Sequence, residues 1–157
     1  MKVHHLAFLL LPLMSMSETF ASVTLAGHGK TQDGSFCEVE VEVSGSLKEP
    51  KKKEDLKIMF RTYRSGASYL SLDRPDDVLV HFSTNPLLIR ARASESGWSR
   101  GWLGMPRRYW LKGSFELKEL AQGDIQVRAN MKGNQVETPF NDVCTIEKSY
   151  FTQASVD

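Results

Sequence analysis

The chain has 157 residues, of which 41% are hydrophobic, 25% charged and 10% aromatic, with 20 basic and 19 acidic side chains. This composition is typical of one globular domain and excludes collagen-like, coiled-coil and disordered chains. The net charge of +1 gives no support for nucleic-acid binding, which usually requires a strong basic excess.

Residues 1–21 have the pattern of a secretory signal peptide. A start with one lysine precedes the apolar run 6–14, and the small residues Thr19 and Ala21 end the segment. The run is shorter than the roughly 20 residues that a membrane-spanning helix needs, and no later stretch is longer. The sequence therefore predicts cleavage after Ala21 and export to the periplasm or the extracellular space. A single domain is expected over residues 22–157.

The chain contains only two cysteines, Cys37 and Cys144, which are 107 positions apart. In an oxidising compartment an even number of cysteines indicates bridges. A redox or metal-binding pair would need close spacing, which is absent here. We therefore predict a structural disulfide that closes most of the domain.

The first half of the domain contains the clearest strand pattern. Residues 37–43 alternate strictly, with the cysteine and three valines on one face and three glutamates on the other. We expect these glutamates to pair with Lys or Arg of the adjacent strand. Short strands are expected at 23–26 and 69–72, and a longer one at 56–63, where a helix is the alternative. The charged run 48–55 indicates a solvated loop.

Apolar residues also alternate through the second half of the domain. Asn85 and Pro86 predict a turn between the first two strands there, and Gly113 predicts a bulge or a kink within the third. The total is about nine strands, as in a single antiparallel β-sandwich or barrel. The strands predicted in this half are 78–83, 87–93, 108–120, 124–131 and 143–150.

Two motifs resemble catalytic sequences but lack the required context. Residues 97–101 match Gly-x-Ser-x-Gly of α/β-hydrolases, yet no histidine follows His81 to complete a triad. Residues 29–31 read Gly-Lys-Thr, but Thr24 stands where a phosphate-binding loop needs glycine. We interpret the second motif as a glycine-rich turn at the end of the first strand.

Few of the remaining residues are candidates for metal binding or catalysis. Only His28 and His81 remain after cleavage, and His81 is expected to face solvent. Asp73, Asp76 and Asp77 could hold calcium, although a turn is the simpler interpretation. We therefore predict no catalytic residue, no metal and no cofactor. A glycan hydrolase with two carboxylates remains a weaker alternative.

The segment 90–112 departs most from the rest of the chain. It carries a net charge of +5, whereas the remainder of the mature chain carries −4. All three tryptophans lie in it, and a long connection is expected between Ser94 and Arg107. Indole rings and guanidinium groups together suit anionic ligands, although Trp98 and Trp102 could instead cap the core. The candidate binding residues are Arg90, Arg92, Trp98, Arg100, Trp102, Arg107, Arg108 and Trp110.

These observations predict an exported, non-catalytic binding domain that uses a Trp/Arg-rich loop at 98–110. The expected partner is an anionic glycan, a lipid head group or an acidic protein surface, and nucleic acid is disfavoured. The alternative is a carrier that holds a small apolar ligand inside a β-barrel, with the loop as its lid.

Overall fold

The structure, a computed structural model, describes residues 22–45, 47, 50–63, 68–73, 75–82, 86–100, 104–134 and 139–156. The predicted signal peptide at 1–21 lies outside the described residues. In the part of the chain that is described, no helix is long and apolar enough to cross a membrane.

The described residues form ten strands, together with two short 3-10 turns at Lys53–Asp55 and Lys148–Tyr150. All strand pairs are antiparallel, which confirms the predicted all-β fold. The strands are β1 (Ser22–Thr31), β2 (Phe36–Ser44), β3 (Leu56–Thr62), β4 (Ser68–Asp73), β5 (Asp77–Phe82), β6 (Leu87–Arg100), β7 (Pro106–Glu119), β8 (Ile125–Gly133), β9 (Phe140–Ile146) and β10 (Phe151–Val156).

One sheet contains all ten strands and consists of two meanders joined at β1. Strands β1 to β4 pair in sequence order, as do β5 to β9, and β9 then pairs with the end of β1. Strand β10 pairs with the first part of β1, so β10 and β9 share one edge of that strand. The outermost strands, β4 and β5, are adjacent in sequence, and the sheet curls into a half-barrel.

Gly29 lies where β1 changes its partner from β10 to β9. A Cβ atom at this position would lie 2.0 Å from the carbonyl oxygen of Thr145, so the close approach of the two strands requires glycine. The turn that we expected at 29–31 is therefore wrong. Strand β1 continues to Thr31, because pairing with β9 extends it beyond the segment covered by β10.

The core lies on the inner face of the curl. Alternate residues of β2 and β3 are buried there, opposite buried residues of β6 to β9. Of the two features predicted at Gly113, the bulge is wrong, because the register runs without interruption through Ala93, Gly113 and Met131. The glycine instead lets β4 pack against β7, since an added Cβ would lie 3.0 Å from Leu70 and 3.1 Å from Leu72.

Cys37 of β2 and Cys144 of β9 form the predicted disulfide, with their Cα atoms 6.2 Å apart. Both side chains are fully buried. The bond spans β1 and joins the two meanders. In the same region the hydroxyl of Thr62 donates a hydrogen bond of 2.8 Å to the buried carboxylate of Asp142. The inner face is therefore held by covalent and polar links as well as by apolar packing.

The outer face of the sheet, opposite the core, carries the predicted glutamate ladder. Glu38 pairs with Arg61 at 3.0 Å and Glu42 with Lys57 at 3.5 Å, both across the β2–β3 pair. This confirms the expected pairing for two of the three glutamates, whereas the third lies opposite Met59. It also confirms a strand in place of the alternative helix at 56–63.

The last predicted strand, 143–150, is wrong at its C-terminal end. Strand β9 ends at Ile146, Tyr150 lies in an exposed turn, and β10 follows. Strand β10 has mostly exposed side chains, so apolar alternation could not indicate it, and backbone pairing with β1 defines it instead. In the predicted loop 48–55 the last three residues form a 3-10 turn, and residues 48 and 49 lie outside the described ones.

Candidate functional site

The tryptophan segment forms a two-stranded arm in place of the predicted loop. Strand β5 pairs with β6 only through Arg92, and β8 pairs with β7 only from Leu111 onward. Beyond these points, residues 96–100 and 106–110 pair only with each other within the described part of the chain. We call these residues the arm. At roughly 3.3 Å per residue, its five rows extend about 13 Å.

Side chains replace the missing neighbouring strands at the base of the arm. The carboxylate of Asp76 accepts hydrogen bonds from the backbone nitrogen of Ser94 at 2.6 Å and from its hydroxyl at 2.8 Å. On the other edge, Asn134 Oδ1 accepts from the backbone nitrogen of Trp110, and its Nδ2 donates to the carbonyl of Arg108, both at 2.9 Å. These bonds hold the first rows of the arm in register.

The Ser94 bonds also have an electrostatic consequence. They hold the pKa of Asp76 below the ordinary aspartate value of 3.8, because both stabilise the ionised carboxylate. Asp76 is one of the three aspartates considered above for calcium. Among the described residues, no group of three His, Cys, Asp or Glu is arranged to hold a metal ion.

One face of the arm combines exposed tryptophans with arginines. Residues directly opposite each other in an antiparallel pair share a face, and alternate residues along a strand do so too. Trp98 is opposite Arg108, and Trp110 and Arg100 lie on the same face by alternation. Trp98 is 71% exposed and Trp110 is 40% exposed, so neither caps the core. Trp102 lies outside the described residues.

The other face of the arm carries Arg107 and Tyr109. The hydroxyl of Tyr109 donates a hydrogen bond of 2.6 Å to Glu95, which raises the pKa of Tyr109 above its ordinary value of 10.0. Tyr109 also lies against Gly97, where an added Cβ would be 2.8 Å from the ring. Arg107 is therefore separated from Arg108, its neighbour in sequence.

The Trp/Arg face continues onto the sheet as a row of cations. Lys112 of β7 lies directly opposite Lys132 of β8. Arg92 of β6 lies on the same face, two residues along β6 from the position opposite Lys112. Arg90 is already paired, because its Nε lies 2.6 Å from Glu116. The sequence analysis did not select Lys112 and Lys132 as site residues. Lys132 belongs to a different strand, so only the register reveals its position.

A groove of about 710 Å³ adjoins this row of cations on the outer face. Arg90, Arg92 and Arg128 line it, together with Asn130, Asn141 and the carboxylate of Glu116, which is paired with Arg90. Arg128 donates a hydrogen bond of 3.3 Å to Gln126. Guanidinium and amide donors thus extend the surface that can contact an anion.

No protein-family model, curated protein or solved structure matches this chain. The candidate function is therefore argued from the geometry of the arm and the adjoining outer face.

Proposed function

We propose that this protein is an exported, non-catalytic binding domain that contacts an anionic envelope partner through the Trp/Arg face of the arm. The observation that supports the proposal is that Trp98 and Trp110 are exposed on the same face as Arg100 and Arg108. Side chains as large and apolar as these are ordinarily buried for the most part in the core.

The charge distribution favours an anionic partner. Like charges placed directly opposite each other in a sheet are destabilising, and Lys112 and Lys132 have that arrangement. A bound anion would relieve this repulsion. The guanidinium groups suit carboxylate, sulfate or phosphate, and the indole rings suit a sugar face or a lipid interface. An anionic glycan, a lipid head group and an acidic protein surface all satisfy these requirements.

The apolar-ligand carrier gains no specific support. The inward-facing side chains of the half-barrel form one packed core. The grooves along the described residues open to solvent. We therefore propose surface binding as the function.

The proposal is tested by binding to three anionic probes: heparin, phosphatidylglycerol vesicles and polyglutamate. Polyethylene glycol and phosphatidylcholine vesicles are the neutral controls. We expect tryptophan fluorescence to shift on binding to at least one anionic probe, and the affinity to fall with salt because exposed charges are screened within about 10 Å at 0.1 M. The probe that binds identifies the partner class.

The decisive variant is Arg100→Ala/Arg108→Ala. We expect affinity to fall about 3- to 30-fold, since each exposed ionic contact contributes up to about 1 kcal/mol. Lys57→Ala/Lys148→Ala removes the same charge from an exposed site on β3 and from the exposed 3-10 turn before β10, and it is the matched control. No binding to any anionic probe in low salt would refute the proposal. Equal losses in the two double variants would also refute it.

A further inference from the structure

Four aromatic side chains form a continuous strip near the start of β2 and the end of β3. Their ring centroids are 5.7 Å apart for Tyr63 and Phe36, 5.9 Å for Phe36 and His28, and 4.9 Å for His28 and Tyr150. Phe36, Tyr63 and Tyr150 are 46%, 44% and 50% exposed. We call these four residues the aromatic strip. Contiguous exposed aromatic surface of this kind is typical of an interaction site.

A groove of about 430 Å³ adjoins the strip at His28 and Tyr150, and both apolar and polar groups line it. The carboxylate of Glu38 accepts a hydrogen bond of 3.0 Å from Arg61 and one of 3.3 Å from the hydroxyl of Tyr63. The carboxylate is therefore held in one orientation next to the rings. The other polar side chains that line the groove are His28, Glu40, Ser149 and Thr152.

The charge of this groove distinguishes it from the arm. Glu38 and Glu40 are accompanied by one cation, Arg61, so the lining has an excess of negative charge that repels anions. Because Glu38 is paired with Arg61, this excess is the single charge of Glu40, which disfavours an anion but is too small to specify a strongly cationic partner. Exposed rings beside oriented hydroxyl and carboxylate groups suit a ligand with one apolar face and polar edges.

We propose that the aromatic strip and its groove bind a saccharide chain that has no acidic groups. The C–H faces of the sugar rings would lie on Phe36, Tyr63 and Tyr150, while sugar hydroxyls would bond to Glu38 and Glu40. Strands β8 and β9 separate this site from the arm in the sheet order. The site goes beyond the proposed anion binding, and either proposal can fail without the other.

The test uses three neutral hexasaccharides, of glucose in α-1,4 linkage, of glucose in β-1,4 linkage and of N-acetylglucosamine. Binding is measured by calorimetry and by saturation-transfer NMR on the sugar protons. We expect at least one probe to bind, with an affinity that is almost unchanged between 50 and 300 mM salt. Tyr150→Ala should weaken binding about 2- to 10-fold, the range expected for one aromatic contact, whereas Tyr150→Phe should retain it.

Met105→Ala is the matched control, because Met105 is 64% exposed, belongs to neither proposed site and should leave saccharide affinity unchanged. If Tyr150→Ala fails to fold by circular dichroism, Tyr63→Ala at the other end of the strip provides the same test. The proposal is overturned if none of the hexasaccharides binds. It is also overturned if Tyr150→Ala and Met105→Ala weaken binding equally, or if the strip binds only oligolysine or a second copy of the chain.

Discussion

The close approach of β1 to β9 makes Gly29 the position at which a single methyl group should damage the fold most clearly. In Gly29→Ala the new Cβ would lie 2.0 Å from the carbonyl oxygen of Thr145, whereas carbon–oxygen contacts between strands are about 3.3 Å or longer. Because the obstacle is a backbone atom, one strand must move by more than about 1 Å. No rotation of a side chain relieves this clash.

The loss in the free energy of unfolding follows from the contacts between β1 and β9 that such a movement breaks. The β1–β9 pairing consists of Lys30 opposite Thr145 and Thr31 opposite Cys144, so about two backbone hydrogen bonds are affected, each contributing about 0.5–1.5 kcal/mol. Packing of the fully buried Ile146 would also loosen. Alanine recovers about 0.5–1 kcal/mol through its lower entropy in the unfolded chain. With about 1 kcal/mol for the loosened packing of Ile146 included, we expect a net loss of about 1–3 kcal/mol in the free energy of unfolding.

Urea unfolding followed by far-ultraviolet circular dichroism measures this loss. Gly97→Ala is the matched control, because its Cβ would meet the end of the Tyr109 ring at 2.8 Å on the exposed arm. That ring can rotate, so we expect a change of less than about 1 kcal/mol. A Gly29→Ala protein as stable as wild type would refute the reasoning, and so would a larger loss in the control.

Two further predictions concern the disulfide and the base of the arm. Replacing Cys37 and Cys144 together by alanine should lower the free energy of unfolding by about 2–5 kcal/mol, and an unchanged urea midpoint would contradict this. In Ser94→Ala the pKa of Asp76 should rise toward 3.8, as measured by NMR titration of its carboxyl group. Because that pKa is lowered in the folded state, the contribution of Asp76 to stability is present above about pH 4 and is lost as the pH falls through the folded pKa. The stability of Asp76→Asn should therefore approach that of wild type in more acidic solution, and a constant difference would argue against the bonds to Ser94.

Local patterns were sufficient to predict much of the sheet. The alternation at 37–43 predicts a strand with one buried face, and it also predicts the face on which the glutamates meet Arg61 and Lys57. Burial of every second residue is a property of the strand itself, so no knowledge of its neighbours is needed. The two cysteines similarly predict a disulfide with each other once their strands are assigned.

The sequence also selected the tryptophan segment, but not its shape. Its glycines indicated a loop, whereas the structure forms an arm whose rows are held by pairing between β6 and β7 and by Asp76 and Asn134. Those two side chains are distant in sequence from the rows that they hold. The separation of Arg107 from Arg108 also follows only once both residues are known to lie in a strand.

Composition, alternation and the cysteine pair by themselves determined an all-β domain with one disulfide and a basic, tryptophan-rich segment. Only the tertiary structure decided which residues meet across strands. The register places Lys132 opposite Lys112, and the end of β3 brings Tyr63 beside Phe36. The physical reason is that a strand's own side chains reveal which face is buried, while the identity and register of its partner depend on how the whole sheet curls and closes around the core.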